Sequence, residues 1–152
     1  MDTNKQEFES INSKKYNTKV KQIIESMQKD FLDTTPNDIG LSLADLQNIL
    51  NKKGILHAVK SEYIEENEAL KSLEFFMKDS SFDIQSLNKI SSVLISFRTH
   101  SDYPITRLTK MIELISEKIN DDSNLIWGTV RDDSLDNDLA IINVLFTETQ
   151  AS

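Results

Sequence analysis

Two segments of the chain carry apolar residues at helical spacing. The first places them at i, i+3, i+4, i+7 and i+11 between polar residues: Val20, Ile23, Ile24, Met27 and Phe31. The second has a similar spacing: Leu108, Met111, Ile112, Ile115 and Ile119. Stripes of this kind are typical of helices that bury one face. We therefore expect an amphipathic helix at each segment, the second one capped by Thr106.

A shorter helix is expected after the first. Residues 33–40 are rich in Asp, Thr, Pro, Asn and Gly, which end a helix. Ser42 then suits the N-cap of a helix with these apolar positions: Leu43, Leu46, Ile49 and Leu50. Asp45 lies in its first turn, where a carboxylate complements the positive end of the helix dipole. The apolar spacing predicts one more helix over Glu65–Met77.

Four apolar segments, most of them rich in β-branched and aromatic residues, predict strands. They are Ile55–Val59, Ser91–Arg98, Leu125–Arg131 and Leu139–Phe146. The last is apolar almost without alternation, as expected for a strand that is covered on both faces. The order of elements predicts two β-α-β crossovers and a terminal hairpin. The expected fold class is α/β (an α+β two-layer sandwich), with a four-stranded mixed sheet and packed helices.

Composition favours one domain and a limited set of partners. Residues 1–17 are nearly all polar and predict a mobile arm, and residues 18–152 predict a single domain. The net charge of −8, without a basic cluster, argues against nucleic acid or an anionic membrane as a partner. No apolar run approaches the ~20 residues that span a bilayer, and the first residues lack a secretion signal, so we expect a cytoplasmic protein.

Nucleotide and metal chemistry find little support in the sequence. The three glycines, Gly40, Gly54 and Gly128, are scattered, whereas a phosphate-binding loop needs several close together. The absence of cysteine excludes disulfides and cysteine-based zinc sites. Neither His57 nor His100 has a metal-ligand spacing, and His57 is expected to pack in a strand. We expect no cofactor and no metal ion.

Two other groups of residues could carry chemistry. His100, Ser101 and Asp102 contain the residue types of a catalytic triad, but adjacent residues point in different directions. Acidic residues crowd two turns: Asp121, Asp122, Asp132, Asp133, Asp136 and Asp138. These turns lack the spacing of a calcium loop, so we expect solvated carboxylates there. Trp127 is expected to pack against the core or a face of the sheet.

The stretch from Ser123 to Leu139 resembles a strand-turn-strand of FtsZ, the bacterial tubulin-like division protein. In that family an A-N-I-I-F-G strand leads through D-D-S-(L/M)-G-D-E into the last apolar strand. These positions fall in register: Asn124, Ile126, Gly128, Asp132, Asp133, Ser134 and Asp138. Weaker agreement upstream extends the resemblance over residues 18–147. It implies the fold of the C-terminal half of FtsZ, with residues 18–35 as the end of the helix that joins the two FtsZ subdomains.

The resemblance also implies an interaction loop. Gly40, Leu41, Ser42, Leu43, Ala44 and Asp45 align with the family's N-L-D-F-A-D, a loop that reaches the GTP site of the neighbouring subunit. We call the segment Gly40–Asp45 the interaction loop; its expected contact residues are Gly40, Leu41, Ser42, Leu43 and Asp45. Asn37 and Asp38 are expected beside it on the surface.

Departures from the family's loop bear on its chemistry. Of the two acidic residues that help to activate water in the family, only the second remains, as Asp45, while Ser42 replaces the first. The loop should therefore promote hydrolysis poorly. Asp45 has two interpretations, a first-turn carboxylate of the helix or a surviving contact to a partner's nucleotide face.

The sequence thus predicts a non-enzymatic interaction module. Its expected partner is FtsZ or a tubulin-like protein, whose assembly it would cap or modulate in cell division. Three alternatives remain open. The chain could be a self-associating α/β domain with an unrelated ligand or partner, or one piece of a split or decayed FtsZ. It could also be a small acid/base hydrolase, although no two carboxylates are placed to converge.

Overall fold

The computed structural model describes residues 16–35, 38–63, 90–119 and 123–148. Their helices and strands are, in chain order, α1 (Thr18–Asp33), α2 (Leu43–Leu50), β1 (Ile55–Tyr63), β2 (Ile90–Thr99), α3 (Ile105–Lys118), β3 (Asn124–Arg131) and β4 (Ala140–Glu148). All seven were predicted, and each of the four strands extends beyond its predicted bounds at one end or both. The predicted helix Glu65–Met77 and residues 1–15 of the predicted arm lie outside the described residues.

The helices begin where local chemistry permits. The Asn17 side chain accepts a hydrogen bond from Val20 N at 2.8 Å and starts α1. The predicted cap of α3 is wrong, because α3 already begins at Ile105, with Pro104 at the N-cap and no side-chain cap bond. The ring of Pro104 holds its φ at −66°, which leads into the helix and places Thr106 inside the first turn.

The four strands form one sheet in the order β1-β4-β2-β3. Strand β4 is antiparallel to both β1 and β2, and β2 is parallel to β3. The crossover from β2 through α3 to β3 is therefore confirmed. The predicted hairpin between β3 and β4 is wrong, since β2 lies between them.

The position of β4 follows from its burial. All its residues except Ile141 and Glu148 are buried, so β4 occupies a central position that a terminal hairpin would not give it. Residues 132–139 carry the chain past the end of β2. There Asp132 N donates a hydrogen bond to Thr99 O at 2.8 Å, which fastens the connection to the strand that it crosses.

Helices cover both faces of the sheet. On one face α3 packs over these buried residues, among others: Val93, Ile95, Phe97, Ile142, Val144 and Phe146. On the other face α1 and α2 pack over Ala58, Leu94 and Leu145. The predicted mixed four-stranded sheet with packed helices is confirmed, and the layer formed by α1 and α2 adds to the sandwich of sheet and α3. Trp127 packs against the α3 side, edge-on to Phe97 with 6.1 Å between ring centroids, as predicted.

The chain segment before α2 lies directly on β3 at Gly128. A Cβ atom at Gly128 would stand 2.5 Å from Leu41 Cγ and 2.6 Å from Ile39 O. Real Cβ atoms do not approach so closely, and Ile39 O belongs to the backbone, which cannot rotate away. The absence of a side chain at residue 128 is therefore what allows residues 39–41 to pack on the strand.

We expect Gly128→Ala to lower the free energy of unfolding by about 1–3 kcal/mol, because the methyl group overpacks this contact. Urea denaturation measures the change. Gly40→Ala is the matched control, since a Cβ at Gly40 meets nothing within 4 Å. Equal stability of the two variants would show that the segment does not press on β3.

Candidate functional site

A buried polar network joins α1 to the sheet. Asp30 lies on the buried side of α1 and is only 4% exposed. Its carboxylate accepts hydrogen bonds from Ser96 Oγ at 2.7 Å, Arg98 Nε at 2.8 Å and Asn143 Nδ2 at 3.2 Å. Asn143 also donates to Ser26 Oγ of α1 at 3.0 Å. Side chains from two neighbouring strands, β2 and β4, thus donate hydrogen bonds to the carboxylate of Asp30.

Arg98 extends this network to two further carboxylates. Its Nη2 donates to Asp33 Oδ2 at 2.8 Å and its Nη1 to Asp132 Oδ2 at 3.0 Å. Burial by itself would lower the pKa of Arg98, but the hydrogen bonds that it donates to Asp33, Asp30 and Asp132, together with the negative charge of Asp30, outweigh burial and raise the pKa above its usual value. Arg98 therefore stays charged and ties α1 to the connection between β3 and β4.

Sequence reasoning missed the network, although a signal was present. Asp30 stands three residues after Met27, in line with the apolar stripe of α1. Ser96 and Asn143 interrupt two apolar strands, and the sheet pairs them directly. A charged residue on the buried face of a helix needs hydrogen-bond partners inside the protein. Polar residues within two apolar strands are candidates for those partners, so this combination indicates a buried, hydrogen-bonded carboxylate.

The interaction loop is anchored on β3 just before it begins. Thr129 N donates to Ile39 O at 2.8 Å, and Ile39 N donates to Thr129 Oγ1 at 3.0 Å. Gly40 is exposed, with open space around it. The structure thus holds the residue before the loop and leaves the tip accessible.

Asp38 is not the surface side chain that the sequence suggested. Its backbone is partly exposed, but its side chain has 0% exposure. The carboxylate turns inward and accepts hydrogen bonds from Thr35 N at 2.9 Å and Thr35 Oγ1 at 3.0 Å. The other residue expected beside the loop, Asn37, lies outside the described residues.

The far side of the loop is held by a capping box. Asp45 N donates to Ser42 Oγ at 3.3 Å, and Ser42 N donates to Asp45 Oδ2 at 2.9 Å. The carboxylate therefore has the first-turn role that was one of its two interpretations; whether it also contacts a partner stays a prediction. Leu41 is buried and Leu43 half-buried in the α1–α2 core, so Gly40 and Ser42 are the more exposed of the five predicted contact residues.

The Asp-Asp-Ser turn, residues 132–134, lies at the carboxyl ends of β2 and β3. Hydrogen bonds within the turn and from Ser101 hold its two carboxylates. Ser134 Oγ and N bond to Asp132 Oδ1, and Ser101 Oγ and N donate to Asp133 Oδ1 at 2.6 and 2.9 Å. The bond from the Ser134 hydroxyl lowers the pKa of Asp132, and the bond from the Ser101 hydroxyl lowers that of Asp133. The expectation of solvated carboxylates holds for Asp133, whose side chain is 66% exposed although it is hydrogen-bonded, whereas the Asp132 side chain is only 25% exposed and also bonds to Arg98.

The residues of the suspected triad lie near one another, with His100 Nδ1 3.8 Å from Asp102 Oδ2, but their hydrogen bonds are not those of a triad. Ser101 Oγ donates to Asp133, while His100 Nδ1 accepts from the backbone N of Asp102 at 3.0 Å. His57 packs in β1 as expected: its ring stacks on Phe146 with centroids 4.9 Å apart, and its Nε2 lies 3.0 Å from Glu148 Oε2. Across the described ranges, no three His, Cys, Asp or Glu side chains come together as a metal site.

The described helices are too short or too polar to cross a membrane.

Comparison with known proteins gives a consistent result. A profile of the FtsZ family, C-terminal domain, matches residues 57–150. The cell division protein FtsZ of Haloferax mediterranei is 27% identical over 105 residues, covering 69% of this chain and 28% of that protein. FtsZ of Methanothermobacter thermautotrophicus is 26% identical over 106 residues, covering 70% and 28%. The chain thus spans less than a third of the length of these relatives.

Solved structures share the fold. An empty FtsZ dimer from M. jannaschii matches with a TM-score of 0.58 and 19% identity, covering 74% of this chain and 32% of that one. A helical structure of the TubZ-Bt four-stranded filament matches with a TM-score of 0.66 and 12% identity, covering 86% and 34%.

Removing the Arg98 guanidinium should leave Asp30 as a buried charge without its cation. We expect Arg98→Met to lower the free energy of unfolding by about 3–5 kcal/mol. Asp33→Asn, at the exposed end of the network, should cost below ~1 kcal/mol. The double variant Asp30→Leu/Arg98→Met should be more stable than Arg98→Met alone, since it removes the buried charge. Urea denaturation of the three variants tests this, and equal losses in Arg98→Met and Asp33→Asn would contradict it.

The Asp-Asp-Ser turn should make stability depend on acid pH. The folded-state pKa values of Asp132 and Asp133 lie below the ordinary value of 3.8. Their contribution is therefore present above pH 3.8 and lost as the pH falls through the folded values. The double variant Asp132→Asn/Asp133→Asn should be less stable at pH 7 and should lose less stability below about pH 4. Parallel curves of unfolding free energy against pH for the variant and the wild type would refute this.

Proposed function

The chain belongs to the FtsZ family through that family's C-terminal domain, and from this premise we propose that it is a non-catalytic interaction module. In this proposal it docks in the cytoplasm on an FtsZ or tubulin-like subunit, through the interaction loop, and caps or modulates that subunit's assembly in cell division.

The observation that carries the proposal is the preformed shape of the loop. Hydrogen bonds to Thr129 hold the chain just before Gly40, and the capping box of Ser42 and Asp45 holds it just after. Among the described residues, no atom lies within 4 Å of where a Cβ of Gly40 would stand. A segment that is held at both ends and open at its tip can bind without a large loss of conformational entropy.

The assembly of proteins with the same fold supports a filament-forming partner. The similar solved structures include an FtsZ dimer and a four-stranded TubZ filament. The 152 residues contain only three widely separated glycines, too few and too scattered for a phosphate-binding loop of their own. A subunit that docks but offers no bound nucleotide would give the next subunit an incomplete face, and growth would stop there.

Co-sedimentation with the FtsZ of the same cell, in the presence of GTP, tests the proposal. Polymer mass and GTP turnover are followed as the chain is added. A fall in either at substoichiometric amounts supports capping at filament ends. Absence of binding and of any effect, together with a closed oligomer of this chain in analytical ultracentrifugation, would instead favour the self-associating alternative.

Gly40→Trp should disrupt docking without disturbing the fold, because Gly40 is exposed and a Cβ there would meet no atom of the described residues within 4 Å. We expect at least a tenfold loss of affinity, on the order of 1.4 kcal/mol or more, with a thermal midpoint close to wild type. Ser116→Trp is the matched control. It adds the same bulk to an exposed position of α3, the helix that covers the opposite face of the sheet from α1 and α2. Equal affinities of the two variants would remove Gly40 from the interface.

A further inference from the structure

We infer that Asp38 is the positioning residue of the interaction loop, linking the chain before Gly40 to strand β3 so that the loop keeps its binding shape. The role of this shape in docking rests on the proposed function, whereas the link itself is a property of the isolated chain. Asp38 precedes the aligned loop motif.

One oxygen of Asp38 closes a tight turn after α1. Asp38 Oδ2 accepts from Thr35 N and Thr35 Oγ1, and Asp38 N donates back to Thr35 O at 3.0 Å. The side chain of Asp38 has no exposed surface of its own, and a carboxylate oxygen is a strong hydrogen-bond acceptor, so these bonds fix the Asp38 side chain against Thr35. They define how the chain leaves α1.

The other oxygen faces β3. Thr129 Oγ1 donates to Asp38 Oδ1 at 3.4 Å while accepting from Ile39 N at 3.0 Å. The single hydroxyl of Thr129 therefore serves two consecutive residues of the incoming chain. Arg131 Nε, at 3.8 Å from the same carboxylate oxygen, adds a favourable charge. Asp38 thus connects the turn after α1 to a fixed point on the sheet.

The hydrogen bonds of Asp38 affect the position of the interaction loop more than the stability of the whole domain. The link belongs to neither of the two apolar cores, which lie under α3 and under α1 with α2. A Cβ at Gly40 would meet no atom within 4 Å in the part of the chain that the structure describes, so the anchors on either side are what position Gly40 there. Loss of Asp38 would weaken the anchor before Gly40, which would then rest on the bonds between Ile39 and Thr129, and would leave the capping box of Ser42 and Asp45 in place.

Hydrogen exchange and binding test the inference together on the full chain. In Asp38→Ala we expect amide exchange at Ile39 and Thr129 to accelerate about tenfold or more, and affinity for the host's FtsZ to fall by a similar factor. Thr129→Val removes the hydroxyl with little change in shape and should accelerate exchange at Ile39. Asp38→Asn keeps an acceptor oxygen and should recover part of both losses, which a variant that is merely less stable would not do.

The outcomes distinguish the inference from the proposed function. Unchanged exchange at Ile39 and Thr129 in Asp38→Ala overturns the positioning role, whatever the partner. Faster exchange with unchanged affinity, while Gly40→Trp abolishes binding, overturns it as well, because the loop tip then binds without its anchor. If the wild-type chain does not bind FtsZ at all, the proposed function fails, and the exchange rates alone decide whether Asp38 positions the loop.

Discussion

The side chain of Arg98 holds three separate parts of the chain at one point. Arg98 lies on β2, one of the two inner strands of the sheet. It forms ion pairs with Asp30 and Asp33 of α1 and with Asp132 in the connection between β3 and β4. Burying a carboxylate such as Asp30 is unfavourable unless it is bonded on all sides, and here Ser96 and Asn143 complete the set. An apolar replacement could match the stability of such a group, but it would not specify which turn of α1 faces which strands.

The interaction loop inherits its position from this arrangement. Because Asp30 and Asp33 locate the last turns of α1, the segment that follows starts from a defined place. It then reaches β3, where Gly128 leaves room for Ile39 and Leu41. The start of the loop is therefore placed by the charged network at the end of α1 and by close packing on β3. Its far end is held by the capping box of Ser42 and Asp45.

The sequence predicts the elements well and their arrangement only in part. Apolar spacing located α1, α2 and α3, and the Asp-Asp-Ser turn indicated the correct family. The pairing of β3 with β4 was wrong, because a short connection normally joins neighbours and nothing local shows that it crosses β2. Asp38 was placed on the surface, since a lone Asp in a turn is usually solvated. One of the groups that its carboxylate faces is Thr129, which lies 91 residues further along the chain.

The Asp-Asp-Ser turn carries the clearest likeness to the family, and its carboxylates are occupied with holding the chain across the end of β2. The residues that carry the likeness therefore include ones that fix how the chain runs from one strand to the next. Gly40, at the tip of the loop, lies in open space, so the residue at this position can be substituted without disturbing the sheet. Descendants of one ancestral domain could in this way keep the same scaffold and diverge in the partners they recognise.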